Sequence, residues 1–178
     1  MKVAFLDRDG VINKEIGYLH EIDKFEYTEN CIKGLQILLK KKFSLIVVTN
    51  QGGIAKGVFT KDDFNVLTAW MKSDLAANGI ILKDVFYCPH HPDGIVDELT
   101  RNCFNRKPSP GMFISAEKKY SVDMQNSIII GDKITDIQAG LTAGVGKAFL
   151  VKTGHKINKP GALKFHLKND LLEVAESL

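Results

Sequence analysis

Short continuous runs of apolar residues recur along the chain, and segments with helical spacing of apolar positions lie between them. The runs are Val3–Leu6, Ser44–Val48, Asp84–Tyr87, Ser127–Ile130 and Ala148–Val151. Runs that do not alternate with polar residues are typical of strands buried on both faces of a parallel sheet. The alternation of strand and helix therefore predicts a doubly wound α/β fold with a mainly parallel sheet and right-handed crossovers.

The segments between the runs carry signals for the ends of helices. Thr60 and Asp63 resemble a capping box ahead of a helix that Gly79 would end. A second helix is predicted to begin after Asn30 as its N-cap and to end in Lys40–Lys42, where cations oppose the helix dipole. A third is predicted with Ser109 as N-cap and Pro110 as its first residue, and it ends near Lys119. The last two are a short helix over 135–143 and a helix in the tail after Lys152. Residues 88–110 form the longest predicted irregular stretch, which we expect to be functional or mobile.

The bulk composition limits the classes of protein and partner. A chain of 178 residues, 44% hydrophobic and 25% charged, is predicted to form one domain over 1–178, with 88–105 as an irregular loop. The net charge of +3 suits a small anionic substrate and is too weak to favour nucleic acid. The sequence shows no signal-peptide pattern and no long apolar span, and its cysteine count is odd at three. These features predict a cytoplasmic protein without a membrane partner. No exposed apolar stripe is evident, so we expect a monomer.

Polar residues follow the predicted strands at the edge where doubly wound folds bind ligands. The groups are Asp7 and Asp9 after the first strand, Thr49, Asn50 and Gln51 after the second, Arg106 and Lys107 before the Ser109 helix, and Asp132, Lys133 and Asp136 after the fourth. A single aspartate after a strand is often only a turn former or helix cap. Four aspartates at one edge repel each other unless a cation joins them, and oxygen ligands favour Mg²⁺.

The order of these motifs resembles the haloacid dehalogenase superfamily. The matching motifs are Asp7-Arg8-Asp9-Gly10-Val11, Thr49 at the end of an apolar strand, Lys107, and Asp132 with Asp136 after an apolar strand. The resemblance implies a Rossmann-like phosphatase in which Asp7 is the nucleophile and Asp9 the general acid and base. It also implies that Thr49 and Lys107 hold the phosphoryl oxygens. Mg²⁺ would lie between the Asp7 carboxylate, the Asp9 carbonyl and Asp132, and Asp136 would orient Lys107 or Lys133.

A longer resemblance, from about Lys2 to Gly154, points to the heptose-bisphosphate and histidinol-phosphate phosphatase branch, which lacks a large cap domain. The matching segments are Phe5–Asn13, Gly17–His20, Thr49–Thr60, Cys88–Pro92 and Arg106–Met112. The resemblance implies removal of the 7-phosphate from a D-glycero-D-manno-heptose 1,7-bisphosphate, a step in heptose biosynthesis for lipopolysaccharide. The alternatives are a histidinol-phosphate phosphatase, a nucleic-acid end-processing phosphatase and a non-catalytic module with the same fold. The candidates for contacts with substrate hydroxyls and a second phosphate are Asn50, Gln51, Lys56, Arg106 and Lys133.

The irregular loop resembles the structural zinc loop of this branch, whose pattern is C-x-H…C-x-C. Cys88, His90 and Cys103 match three of its ligands, and Asn105 stands where the fourth would be. Zn²⁺ prefers four thiolate or imidazole ligands in a tetrahedron. Zinc is therefore a possible second metal, with His91, water or Asp97 as the fourth ligand, and an empty loop is the alternative.

Overall fold

The computed structural model of the protein describes residues 1–156 and 164–178. In these residues a single sheet is formed by β1 (Val3–Leu6), β2 (Ser44–Asn50), β3 (Leu82–Cys88), β4 (Ile128–Gly131), β5 (Lys147–Val151) and β6 (His166–Lys168). The strands lie in the order β3-β2-β1-β4-β5-β6, and every neighbouring pair is parallel. The predicted doubly wound α/β fold is confirmed. β6 was not predicted, because three residues are too few for a periodic hydrophobic signal.

The sheet is covered by helices on both faces, and β1 shows why its sequence is continuously apolar. Ala4 and Leu6 belong to the hydrophobic core on one face, whereas Val3 and Phe5 belong to the core on the other. The helices are α1 (Cys31–Lys40), α2 (Lys61–Ala77), α3 (Gly111–Tyr120), α4 (Ile134–Thr142) and α5 (Leu171–Glu176). The first core takes residues from α1, α2 and α5, and the second takes residues from α3 and α4. Among the described residues, no helix is both long and apolar enough to cross a bilayer.

The strand order places a topological switch point beside β1. From β1 the chain moves outward through β2 to β3, then returns to the other side of β1 to form β4. In open α/β sheets the crevice at such a reversal, outside the carboxyl ends of the strands, is where ligands bind. The loops after β1 and β4 flank this crevice and carry the aspartates predicted for catalysis and for Mg²⁺ binding.

Two predicted helix starts need correction. Asn30 precedes α1, but its backbone is left-handed (φ 59°) and its side chain does not cap the helix. Its Nδ2 instead donates a hydrogen bond of 2.8 Å to Asp170 Oδ2, so the side chain is committed to a distant partner. α3 begins at Gly111 with Pro110 as the flanking residue, one residue later than predicted. The capping box of Thr60 and Asp63 is confirmed at the start of α2.

Candidate active site

The predicted aspartates converge at the carboxyl edge of β1 and β4. Asp7, Asp132 and Asp136 each place a carboxylate oxygen within 4.8 Å of the others, and all three residues are buried. Parallel pairing of β1 with β4 brings the first two together, since each follows the end of its strand. Asp136 reaches the same point from the first turn of α4. Buried like charges are costly unless cations neutralise them.

Lys107 supplies one of those cations. Its Nζ lies 3.0 Å from Asp7 Oδ1 and 2.7 Å from Asp136 Oδ1, and its side chain is almost fully buried. Burial alone would lower the pKa of Lys107, but the carboxylates of Asp136 and Asp7 outweigh this effect and raise it. Lys107 is therefore a permanent positive charge at the floor of the site.

The surroundings of Asp7 disfavour its ionised form even with Lys107 beside it. Burial raises the pKa of Asp7 from 3.8 to about 6, with further raising by Asp136 and Asp9, although Lys107 opposes the shift. One lysine is thus insufficient to balance the surrounding carboxylates. A divalent cation would favour the ionised form of Asp7 that a nucleophile requires.

The main chain around Lys107 is fixed by Asn50 at the end of β2. Asn50 Nδ2 donates to the carbonyl of Lys107 at 3.0 Å, and its Oδ1 accepts from the N–H of Lys107 at 3.0 Å. Lys107 Nζ also donates to the carbonyl of Val48 at 2.8 Å. Both amide atoms of Asn50 are committed to Lys107, so in this arrangement Asn50 positions the lysine.

Asp9 is held by a set of side-chain donors. Its Oδ1 accepts from Arg8 and Asn13, and its Oδ2 accepts from Arg8 and from Gln51 Nε2 at 3.0 Å. Gln51 Nε2 also donates to Thr49 Oγ1 at 2.9 Å. Gln51 therefore links the predicted acid and base to the predicted phosphoryl-binding hydroxyl. Arg8, whose side chain is 2% exposed, is a structural counter-ion of Asp9 that sequence reasoning did not single out.

The donor set at Asp132 fits a hard cation such as Mg²⁺. Asp132 Oδ1 is buried and lacks a hydrogen-bond donor among the described residues. An unpaired buried carboxylate oxygen is costly, and oxygen-only ligands close to one another are what Mg²⁺ prefers. Asp7 and Asp132, with the carbonyl of Asp9, would hold the ion.

A cavity of about 500 Å³ opens above these residues. Its walls are formed by Asp7, Asp9, Glu15, Gly17, Tyr18, Asn50, Gln51, Gly52, Gly53, His91, Arg106, Lys107, Lys133, Thr135, Asp136 and His155. Of the predicted substrate residues, Asn50, Gln51, Arg106 and Lys133 line the cavity. Lys56 does not line it, and its ammonium lies 5.9 Å from the ring centre of Tyr18.

Two charged groups flank the cavity. Arg106 is half-buried, donates from Nη1 to the carbonyl of His90 at 3.1 Å, and lies next to the main chain of Gly52. In the second group, Glu15 Oε2 is 3.7 Å from both Lys133 Nζ and His155 Nδ1. Glu15 and His155 were not predicted, because neither stands in a recognised motif.

The three expected zinc donors also converge, outside the catalytic cluster. Cys88, His90 and Cys103 place one donor atom each within 4.8 Å of one another, and Cys88 Sγ is 3.7 Å from His90 Nδ1. Burial and the nearby Arg101 lower the pKa of His90, which keeps the ring neutral. Burial, followed by the neighbouring Cys103, raises the pKa of Cys88 to about 11. In the absence of a cation, the Cys88 thiol is therefore protonated at neutral pH.

The fourth position of that site does not match a closed zinc centre. Neither His91 nor Asp97 joins the donor group among the described residues, so both expectations for a fourth protein ligand are wrong. His91 lines the catalytic cavity instead, and its Nδ1 accepts from the N–H of Asp93 at 3.0 Å. Asn105 is exposed, and its Oδ1 lies against the main chain of Gly111 at the start of α3. The described residues therefore bring together three donors of the types that zinc prefers, without a fourth side-chain donor beside them.

Comparison with known proteins defines the class first. The HAD-hydrolase-like family model matches residues 104–177, which include Lys107, Asp132 and Asp136. A crystal structure of the D,D-heptose 1,7-bisphosphate phosphatase from B. bronchiseptica, complexed with magnesium and phosphate, is similar, with a TM-score of 0.85 and 30% identity. The match covers 99% of this chain and 97% of that one.

Curated relatives narrow the class to a family. The D-glycero-alpha-D-manno-heptose-1,7-bisphosphate 7-phosphatase of Photorhabdus laumondii is 53% identical over 160 residues, covering 90% of this chain and 87% of the relative. The D-glycero-beta-D-manno-heptose-1,7-bisphosphate 7-phosphatase of Escherichia coli K12 is 49% identical over 153 residues, covering 86% and 80%. The chain belongs to the heptose-1,7-bisphosphate 7-phosphatase family of haloacid dehalogenase-like hydrolases. The predicted family resemblance is thereby confirmed.

Proposed function

We propose that the protein is a Mg²⁺-dependent phosphatase that removes the 7-phosphate from a D-glycero-D-manno-heptose 1,7-bisphosphate. The observation that carries the proposal is the contact of Asp7 with Lys107 beside Asp132, at the floor of a cavity open to a small molecule. Relatives that share about half of their residues with this chain carry the name of this activity.

In the first step, an Asp7 carboxylate oxygen attacks phosphorus and the bond from phosphorus to the sugar oxygen breaks. Asp9 donates a proton to the leaving sugar oxygen. Both oxygens of Asp9 accept hydrogen bonds in the structure, so a protonated Asp9 has to give up one donor. Gln51 is the donor best placed to leave, because it has Thr49 as a second acceptor.

In the second step, Asp9 removes a proton from a water molecule that attacks phosphorus, and Asp7 is released as a carboxylate together with inorganic phosphate. Lys107 and Thr49 would stabilise the phosphoryl oxygens, whose negative charge spreads in the transition state. Asp136 would keep Lys107 Nζ directed at the phosphoryl group, as their contact of 2.7 Å allows. Mg²⁺, when bound, supplies charge neutralisation between the attacking carboxylate and the phosphate.

Arg106 is our candidate for recognition of the second phosphate of the bisphosphate. Its guanidinium lines the cavity and carries a planar pair of donors that matches phosphate oxygens. Burial lowers the pKa of Arg106, but a guanidinium remains charged at neutral pH. An incoming phosphate would restore the solvation that the half-buried cation has lost.

The test is phosphate release from both anomers of heptose 1,7-bisphosphate, from heptose 7-phosphate and from histidinol phosphate, with Mg²⁺ and with EDTA. We expect Mg²⁺-dependent release from one or both bisphosphate anomers and none from Asp7→Asn. Arg106→Gln should raise KM for the bisphosphate roughly tenfold, as one lost charge-assisted contact requires, and leave heptose 7-phosphate unchanged. Lys118→Gln, at an exposed position of α3, is the control for loss of a positive charge. Faster release from histidinol phosphate would overturn the proposed substrate.

For the second metal, we propose that Cys88, His90 and Cys103 bind Zn²⁺ with water in the open fourth position. The neutral ring of His90 and the paired thiols are the ligand types that Zn²⁺ prefers. Because the phosphatase cluster lies elsewhere, zinc would order the loop that carries Arg106 and take no part in the chemistry.

We also propose a monomer in solution, to be checked by light scattering.

A further inference from the structure

Asp132 is held in a tight setting by the segment that follows β5. A Cβ atom added at Gly154 would lie 2.1 Å from Asp132 Oδ2, and one added at Gly10 would lie 2.4 Å from the same oxygen. Thr153 Oγ1 donates to the carbonyl of Gly10 at 2.6 Å. The loops after β1 and β5 therefore meet at the carboxylate of Asp132, and only glycines allow the main chains to approach so closely.

His155 directs two donors at one oxygen of that carboxylate. Its backbone N–H donates to Asp132 Oδ2 at 3.0 Å, and its Nδ1 lies 2.6 Å from the same Oδ2. A carboxylate oxygen only accepts, so Nδ1 carries the proton in this contact. The other oxygen, Oδ1, is buried and has no donor among the described residues.

This asymmetry fixes which oxygen of Asp132 is available to a cation. Rotation of the carboxylate would take Oδ2 away from both donors of His155, so the two hydrogen bonds resist it. Partners of this kind set the orientation of a metal-binding carboxylate, and their loss typically lowers metal affinity by about 10–100-fold. His155 does not need to touch substrate or metal to act in this way.

We propose that His155 is a positioning residue that holds Asp132 Oδ2 and so presents Oδ1 to the active-site Mg²⁺. The inference rests on the proposed function, in which Asp132 is a ligand of that ion. The side chain of His155 is 42% exposed, and its backbone N–H would remain after substitution. We therefore expect an effect at the lower end of the range.

The experiment measures the Mg²⁺ dissociation constant of the substrate-free protein by calorimetry. His155→Ala should raise the constant about tenfold, and the variant should remain folded in EDTA. His155→Asn should recover most of the affinity, because its Nδ2 stands close to the place of Nδ1, whereas His155→Gln should not. His166→Ala, at the first residue of the edge strand β6, where the ring stacks on Phe149, is the matched control and should bind Mg²⁺ like the wild type.

Kinetics give a second measurement. His155→Ala should need more Mg²⁺ for half-maximal activity, and its kcat should recover as Mg²⁺ approaches saturation. Binding of Mg²⁺ by His155→Ala within twofold of wild type would overturn the inference. An Asn variant that binds Mg²⁺ as weakly as the Ala variant would also overturn it. So would calorimetry in which the wild type binds one more Mg²⁺ per chain than His155→Ala, because His155 would then be a metal ligand itself. Failure of the wild type to hydrolyse any heptose phosphate would refute the proposed function, and the ratio of dissociation constants would still decide the role of His155.

Discussion

Replacing the nucleophile should make the metal-free protein more stable. Asp7 is buried among carboxylates, and its pKa rises from 3.8 to about 6, chiefly through burial. An acid whose pKa is raised in the folded state destabilises that state once it is ionised. The cost is absent below the unfolded pKa and complete above the folded pKa. Asp7→Asn removes this ionisation and keeps an oxygen that can accept from the N–H of Arg8.

The size of the stability gain in Asp7→Asn follows from the pKa shift of Asp7. A difference of about two units at 1.36 kcal/mol each gives about 3 kcal/mol of additional unfolding free energy for Asp7→Asn at pH 8. At pH 5 the same linkage gives about half of this value, because folded Asp7 is then largely protonated. Saturating Mg²⁺ should reduce the difference in unfolding free energy between Asp7→Asn and the wild type, since the wild type keeps a metal ligand that the variant has lost.

The assay is urea denaturation in EDTA at several values between pH 5 and pH 8. Asp84→Asn is the control with the opposite sign. Burial alone would raise the pKa of Asp84, but hydrogen bonds from Lys119 and Tyr120 outweigh it and lower the pKa. Asp84→Asn should therefore destabilise the protein by a similar amount at every pH in this range, because the pKa of Asp84 lies below pH 5 in both the folded and the unfolded state. If Asp7→Asn is no more stable than wild type at pH 8, or if its advantage does not grow with pH, the electrostatic reasoning is refuted.

Three further substitutions test other contacts. Lys107→Met leaves two buried carboxylates without their shared cation, so it should cost about 3–5 kcal/mol of unfolding free energy in urea titrations and lower kcat at least ~100-fold in phosphate-release assays. Retained activity would contradict the role of the lysine. Asn105→Cys should raise zinc affinity in competition with a chromogenic chelator, and an unchanged affinity would show that position 105 cannot complete the site. Gly140→Ala places a Cβ 2.6 Å from Ile129 Cγ2, so it should cost about 1–3 kcal/mol by urea titration while Mg²⁺ affinity stays unchanged.

The local sequence was sufficient for the main elements of the fold. β1 was predicted with its observed bounds because all four of its residues are apolar and buried on both faces. The start of α2 was predicted because a capping box acts within four residues. The start of α1 was only partly predicted, because Asn30 bonds to a residue 140 positions away instead of the adjacent helix. A local pattern carries no information about such a partner.

The same distinction applies to the site. Asp7, Asp9, Lys107 and Asp132 could be proposed from sequence, because each stands in a short motif at the end of a strand or the start of a helix, and the order of strands in the sheet then brings them together. The chain by itself determined the chemical groups. Only the tertiary structure decided that His155, 23 residues beyond Asp132, faces one oxygen of its carboxylate and leaves the other free. The reason is that hydrogen-bond direction and the burial of a single atom depend on how separate loops pack, and no local periodicity encodes that packing.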